Sequence, residues 1–159
     1  MNKAHDIAAT YALDERSEND ILAQAEAILR RRLERLGSVG NPRDSEAFLK
    51  ARLAHLDHEE FHGLWLDNRH RIIACEKHAT GTIDGASVHP REIVRAALKH
   101  NAAAVVFAHN HPSGIPEPSA ADRAITRELS DALRLVGVRV LDHIVVGETC
   151  VSMAARGLM

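Results

Sequence analysis

Aromatic residues are scarce in this chain: three Phe, one Tyr and one Trp make up only 3% of its 159 residues. The core must therefore be aliphatic, and a 45% hydrophobic content at this length is enough for one globular domain without covalent staples. Disorder and repeat arrays are excluded as overall descriptions. Cysteine is nearly missing as well. Cys75 and Cys150 form neither a CxxC pair nor a disulfide framework, and each stands in an apolar stretch that reads as structural. Charge of one sign is not in excess: 20 Lys and Arg against 22 Asp and Glu leave a net −2, which disfavours a module built to grip nucleic acid or an anionic membrane. No apolar run approaches the roughly 18 residues of a spanning helix, and the first 20 residues lack the apolar core of a signal peptide. A soluble cytoplasmic protein with no membrane partner is expected.

Histidine, by contrast, is abundant, with eleven copies. Placing them requires a coarse reading of the chain. Ser17 followed by Asp20 looks like a capping-box start, after which Ile21, Leu22, Ala25, Ile28, Leu29, Leu33 and Leu36 recur on one helical face. The opposite face carries Arg30, Arg31, Arg32 and Arg35, read as solvated. This amphipathic helix could dock on its own domain, swap between protomers or hold a homodimer. Gly40-Asn41-Pro42 reads as a breaker before a shorter helix marked by Phe48, Leu49, Leu53 and Leu56. Phe61–Leu66 and Arg71–Cys75, joined at Asp67-Asn68, read as a β-hairpin. A loop through Gly81 and Gly85 leads to a helix opened by Pro90 and running through His100.

Ala102–Ala108 (AAAVVFA) is a short continuous apolar run, as expected of a strand buried on both faces, and it leads straight into His109. A Pro- and Gly-rich loop follows. Ser119 and Asp122 then open a helix with an apolar face at Ile125, Leu129, Ala132, Leu133 and Val136. The tail reads as two further strands broken near Asp142 and Gly147. Helices interleaved with such strands predict an α/β or α+β sheet domain.

Two histidines at i,i+2 on extended backbone project the same way, so His109 and His111 can reach one ion, and Asp122 can supply a third ligand from the next helix. Two nitrogens and one carboxylate leave a fourth tetrahedral position open, the layout of a catalytic zinc site. Alone, the spacing is weak: Asp122 also fits helix capping, and Ser119 fits an N-cap.

The stretch HNHPSGIPEPSAAD resembles the JAB/MPN metalloprotease signature, in which His-x-His is followed by ten residues and Asp, with Ser three positions before that Asp. More closely, the chain resembles RadC-like JAB-domain proteins through the blocks GTIDGASVHPREIVRAALKHNAAAVVFAHNHPSG and LDHIVVG, over roughly residues 44–153. The resemblance implies a JAB/MPN-like mixed β-sheet flanked by helices, with residues 1–43 as an N-terminal extension and 44–159 as the hydrolase domain. It implies Zn²⁺ held by His109, His111 and Asp122, which would bring the pKa of bound water toward roughly 7. It implies a catalytic glutamate before the first apolar strand. Glu59 is favoured, Glu60 is the alternative in the other register, and Glu76 comes third.

Ser119 corresponds to the family's oxyanion donor, a role in competition with the N-cap. His89, Asp142 and His143 lie inside the shared blocks and are candidates to orient the ligands or to brace the fold. The remaining histidines, His5, His55, His58, His62, His70, His78 and His100, read as solvated or snorkelling. The implied partner is a protein or peptide-like substrate. RadC-like proteins of full length also carry an N-terminal helix-hairpin-helix region that contacts DNA. The chain looks like a short free-standing form without it, which weakens a nucleic-acid role.

Overall fold

A computed structural model describes residues 15–36, 39, 41–81 and 88–159; for 15–17 and 32–36 it describes the backbone alone. Helices α1 (Glu15–Leu36) and α2 (Pro42–Leu53) are followed by the strands β1 (Glu60–Leu66) and β2 (Ile72–Thr80). Then come α3 (Pro90–Lys99), β3 (Ala104–Asn110), α4 (Ala120–Arg134), β4 (Arg139–Val146) and β5 (Cys150–Ser152). The sheet order is β2-β1-β3-β4-β5. β3 and β4 are parallel and joined through α4, while β1 pairs antiparallel with both β2 and β3. The expected mixed sheet flanked by helices is what the chain forms.

Strand alternation divides the core into two layers. Leu64, Leu66, Val106, Ala108, Ile144 and Val146 face α2 through Phe48, Leu49 and Leu53. Phe61, Trp65, Val105 and Phe107 face α3 and α4 through Ile93, Ala97, Leu129 and Leu133. β3 is buried at every position, as the continuous apolar run predicts for a central strand.

Several local expectations need correction. Asn41-Pro42 is a helix start and not merely a breaker: the Asn41 side chain accepts from Arg43 N, and Pro42 is the first helical residue, where its missing N–H costs nothing. α1 begins two residues ahead of Ser17, so Ser17 does not open it. The side chains of Ser17, Arg32, Leu33, Arg35 and Leu36 lie outside the described residues, as do Gly37, Gly40, Gly85 and His5. β2 extends five residues past Cys75, and β4 runs unbroken through Asp142, leaving the break only at Gly147. The amphipathic helix contacts its own chain: Leu29 packs against the α2 core and Glu26 pairs with Arg52.

The reading of the spare histidines as solvated fails in the sheet. His62 is 3% exposed, accepts from Arg52 Nε at 3.4 Å and lies 2.7 Å from Glu60 Oε2. His78 packs edge-on against Trp65, and His100 Nε2 lies 2.9 Å from Glu76. Burial pushes His62 below its ordinary value and takes His78 down to about 4. Burial alone would raise Glu60, but His62, Lys77 and His58 outweigh it and hold the carboxyl at about 2.

The sign of the pH dependence follows from these directions. Below pH 6.5 the unfolded chain takes up protons that folded His62 and His78 refuse, and below 4.5 it takes up one that Glu60 refuses until about 2. Urea midpoints are therefore expected to be flat just above neutrality and to fall steadily from pH 6.5 to 4. A midpoint that rises over that window would contradict these assignments.

Candidate metal centre

The end of β3 and the start of α4 build this site. β3 ends on His109 and Asn110, and His111 N continues the parallel ladder by donating to Val146 O at 2.8 Å. The loop that follows turns at His111, whose carbonyl accepts from Gly114 N, and is pinned where Glu148 N donates to Gly114 O. Gly147 makes that approach possible, since a Cβ there would lie 2.4 Å from the Gly114 oxygen. The chain then enters α4 through a capping box. Ser119 Oγ accepts from Asp122 N at 3.0 Å, and Ser119 N donates to Asp122 Oδ2 at 2.6 Å. The box places Asp122 at the third helical position with its carboxylate turned back toward the strand end.

His109, His111 and Asp122 meet there, with ligand atoms within 4.8 Å of one another. His109 Nε2 lies 3.0 Å from His111 Nε2 and 3.2 Å from Asp122 Oδ1, and His111 Nε2 lies 3.7 Å from Asp122 Oδ2. Donors about 2.05 Å from a tetrahedral metal stand roughly 3.3 Å apart, so the spacing already suits an ion. His109 and Asp122 are fully buried.

The hydrogen bonds behind the cluster decide which way its lone pairs face. Thr126 Oγ1 donates to the Asp122 carbonyl at 2.5 Å, which can only accept. The same oxygen therefore accepts from His143 Nδ1, 2.6 Å away. His143 is fully buried, and burial pushes it well below its ordinary value, so it is neutral and its Nε2 carries a lone pair. That nitrogen accepts from His109 Nδ1 at 2.8 Å, leaving His109 Nε2 unprotonated in the neutral ring. His111 Nδ1 in turn donates to Ile115 O at 2.8 Å, which leaves its Nε2 unprotonated too.

In their neutral form the two imidazoles thus aim lone pairs at a buried carboxylate. Among the described residues Asp122 Oδ1 accepts no hydrogen bond, although His109 Nε2 stands beside it. A buried anion facing two lone pairs is unfavourable without a cation or protons between them, and these three residues can hold a metal ion. The fit rests on this chemistry, independently of the motif.

The other expected residues fall in different places. Glu60 faces away from the cluster, on the α2 side with His62, bonded to His58, His62 and Lys77. Glu59 is half-buried one residue before β1, and its carbonyl accepts from Gly81 N at 2.8 Å. Glu76 faces His100 and Lys99 in a cleft of about 590 Å³ between β2 and α3 that shares no lining residue with the cluster. His89 is the N-cap residue of α3, and its side chain makes no capping bond. Asp142 braces the β4–β5 end, accepting from His143 N, Ser152 Oγ and Ala154 N. His143 touches His109 directly.

A model of the RadC-like JAB domain matches residues 39–158. The chain belongs to the RadC-like JAB domain family. Curated relatives agree. A UPF0758 protein of Thioalkalivibrio sulfidiphilus is 61% identical over 127 residues, covering 80% of this chain and 57% of its own length. One of Marinobacter nauticus is 58% identical over 120 residues, covering 75% of this chain and 54% of the relative. One of Vibrio cholerae is 51% identical over 148 residues and is covered over 94% of its length. The chain thus spans little more than half of the first and second of these relatives and nearly all of the third.

Thr126 is one member of this RadC-like site that sequence reasoning missed. It sits inside an amphipathic helix with no motif spacing, and only the packing of α4 on β4 brings it to His143. Thr126→Val keeps the shape and removes the hydroxyl that fixes the His143 tautomer. Such outer partners of a ligating histidine are worth roughly 10–100-fold in metal affinity. Affinity for a divalent metal ion measured by chelator competition is expected to fall by that factor, and an unchanged affinity would refute the relay.

Proposed function

We propose that this RadC-like protein is a zinc-dependent hydrolase that cleaves a peptide or isopeptide (amide) bond in a protein or peptide-like substrate. The observation that carries the reading is the convergence of two imidazole nitrogens and one buried carboxylate, a donor set that suits zinc and leaves a coordination position open. When bound, zinc supplies Lewis acidity, polarising an amide carbonyl and lowering the pKa of water toward roughly 7.

The chain's own residues supply the rest. Glu59 is assigned as general base, taking the proton of the attacking water and returning it to the leaving amine. Alternation supports this choice: Glu59 is two residues before Phe61, whose ring stacks on that of His109 at 6.5 Å between centroids. Glu60 is committed to three partners on the opposite face.

Ser119 is assigned as oxyanion donor. The cap uses the Oγ lone pair as acceptor, so the O–H, which bonds the Asp122 carboxylate, would turn from it to serve the oxyanion. Ser119→Ala is expected to cost about 1 kcal/mol through the lost cap and roughly 10²–10³ in rate. An unchanged rate with the same stability loss would leave Ser119 a cap alone.

Cleavage of a peptide library by zinc-loaded protein tests the proposal. Activity should vanish with chelator, return with zinc and be absent from His109→Ala. Bound zinc with no cleavage of any member would favour a metal-braced interaction module.

A further inference from the structure

Asn110 stands between the two histidine ligands, is 2% exposed and has no part in the metal set. Its Oδ1 accepts from Glu60 N at 2.8 Å, and its Nδ2 donates to His58 O at 2.9 Å. A backbone N–H only donates and a carbonyl only accepts, so the amide can sit in one orientation alone. The two groups it holds flank Glu59. The backbone ladder between β1 and β3 ends at the Phe61–His109 pair, and the Asn110 side chain extends it by two bonds just where Glu59 leaves the sheet. On the other edge, Gly81 N donates to Glu59 O. The backbone on which Glu59 is built is thus clamped from both sides.

We propose that Asn110 is a positioning residue: it fixes Glu59 relative to the metal ligands. The inference rests on Glu59 being the base. Asn110 shares its backbone with His109 and His111, so a single stretch of chain sets both the ligand pair and the clamp on the base. A base must come within roughly 2.6–3.2 Å of the proton it takes, and about 1 Å of misplacement can cost 10²-fold. Among side chains of this reach, only an asparagine offers the acceptor and the donor together. Aspartate would turn a second acceptor toward the His58 carbonyl, and serine is too short to span both.

The test compares wild type, Asn110→Ala and Asn110→Asp, the last keeping shape and the bond from Glu60 in case alanine does not fold. Three readouts are taken: zinc affinity by chelator competition, amide exchange at Glu60, and paramagnetic relaxation of the ¹³C-labelled Glu59 carboxyl by Co²⁺ loaded in place of zinc. In Asn110→Ala, zinc affinity is expected to stay within about threefold, Glu60 protection to fall at least about tenfold, and relaxation at Glu59 to drop about twofold or more. Asn110→Asp should lower the relaxation with Glu60 protection retained. Where cleavage is measurable, Asn110→Ala should slow wild type roughly 10–100-fold and add nothing in a Glu59→Gln background.

Unchanged Glu59 relaxation in both variants, or a loss of zinc affinity that matches the loss of rate, would overturn the proposal. If wild type cleaves nothing while Glu59 relaxation depends on Asn110, the positioning stands and the peptidase reading fails. If wild type binds no Co²⁺, both fail together.

Discussion

Glu59→Gln is expected to lower the cleavage rate by roughly 10²–10⁴, the usual contribution of a positioned general base, while zinc binding stays intact. Glutamine keeps the size of the side chain and its hydrogen-bonding reach but cannot accept and return a proton near neutrality. Glu60→Gln should behave differently. Its carboxylate is held at about 2 by His62, Lys77 and His58, so its loss should weaken the fold at neutral pH and leave the chemical step of the folded protein nearly unchanged. Rates and urea midpoints measured together separate the two. A rate that collapses in Glu60→Gln and survives in Glu59→Gln would exchange the assignments.

Asp122→Ala should have the largest effect on the metal. It removes the only carboxylate of the cluster and, with it, the acceptor of the Ser119 backbone N–H that closes the capping box. Zinc binding should be lost, and stability should fall by about 0.5–2 kcal/mol from the cap, partly offset by relief of a buried anion in the metal-free protein. His109→Ala should abolish binding as well without touching the cap. Equilibrium dialysis with zinc, paired with urea denaturation, distinguishes the two variants. Stoichiometric zinc in either would remove that residue from the ligand set.

The three residues of the candidate metal centre are legible in the sequence because their signal is local. An apolar run buried on both faces ends in His-x-His, and a Ser/Asp capping pattern opens the next helix. Strand periodicity and cap chemistry then bring them together. The residues that tune them are not legible, since Thr126 reaches His143 only after α4 crosses over the sheet, and Asn110 meets Glu60 only when β3 pairs with β1. The same limit explains the histidines. His62 and His78 look solvated beside charged neighbours, yet they are buried against partners from other elements, Arg52 and Trp65. The far half of β2 escapes a reading by pattern because Glu76, Lys77 and His78 carry no apolar alternation, as befits an edge strand whose pairing comes from β1. Glu59 and Glu60 cannot be separated by sequence because a register slip of one residue exchanges the faces of a strand. The pairing of Phe61 with His109 sets that register.

The most direct test of the metal centre is a zinc titration of chelator-stripped wild-type protein beside His109→Ala, followed by metal analysis. One zinc per chain in wild type and none in the variant is the predicted result. Wild-type protein that takes up no zinc, or a variant that binds it equally well, would contradict the account.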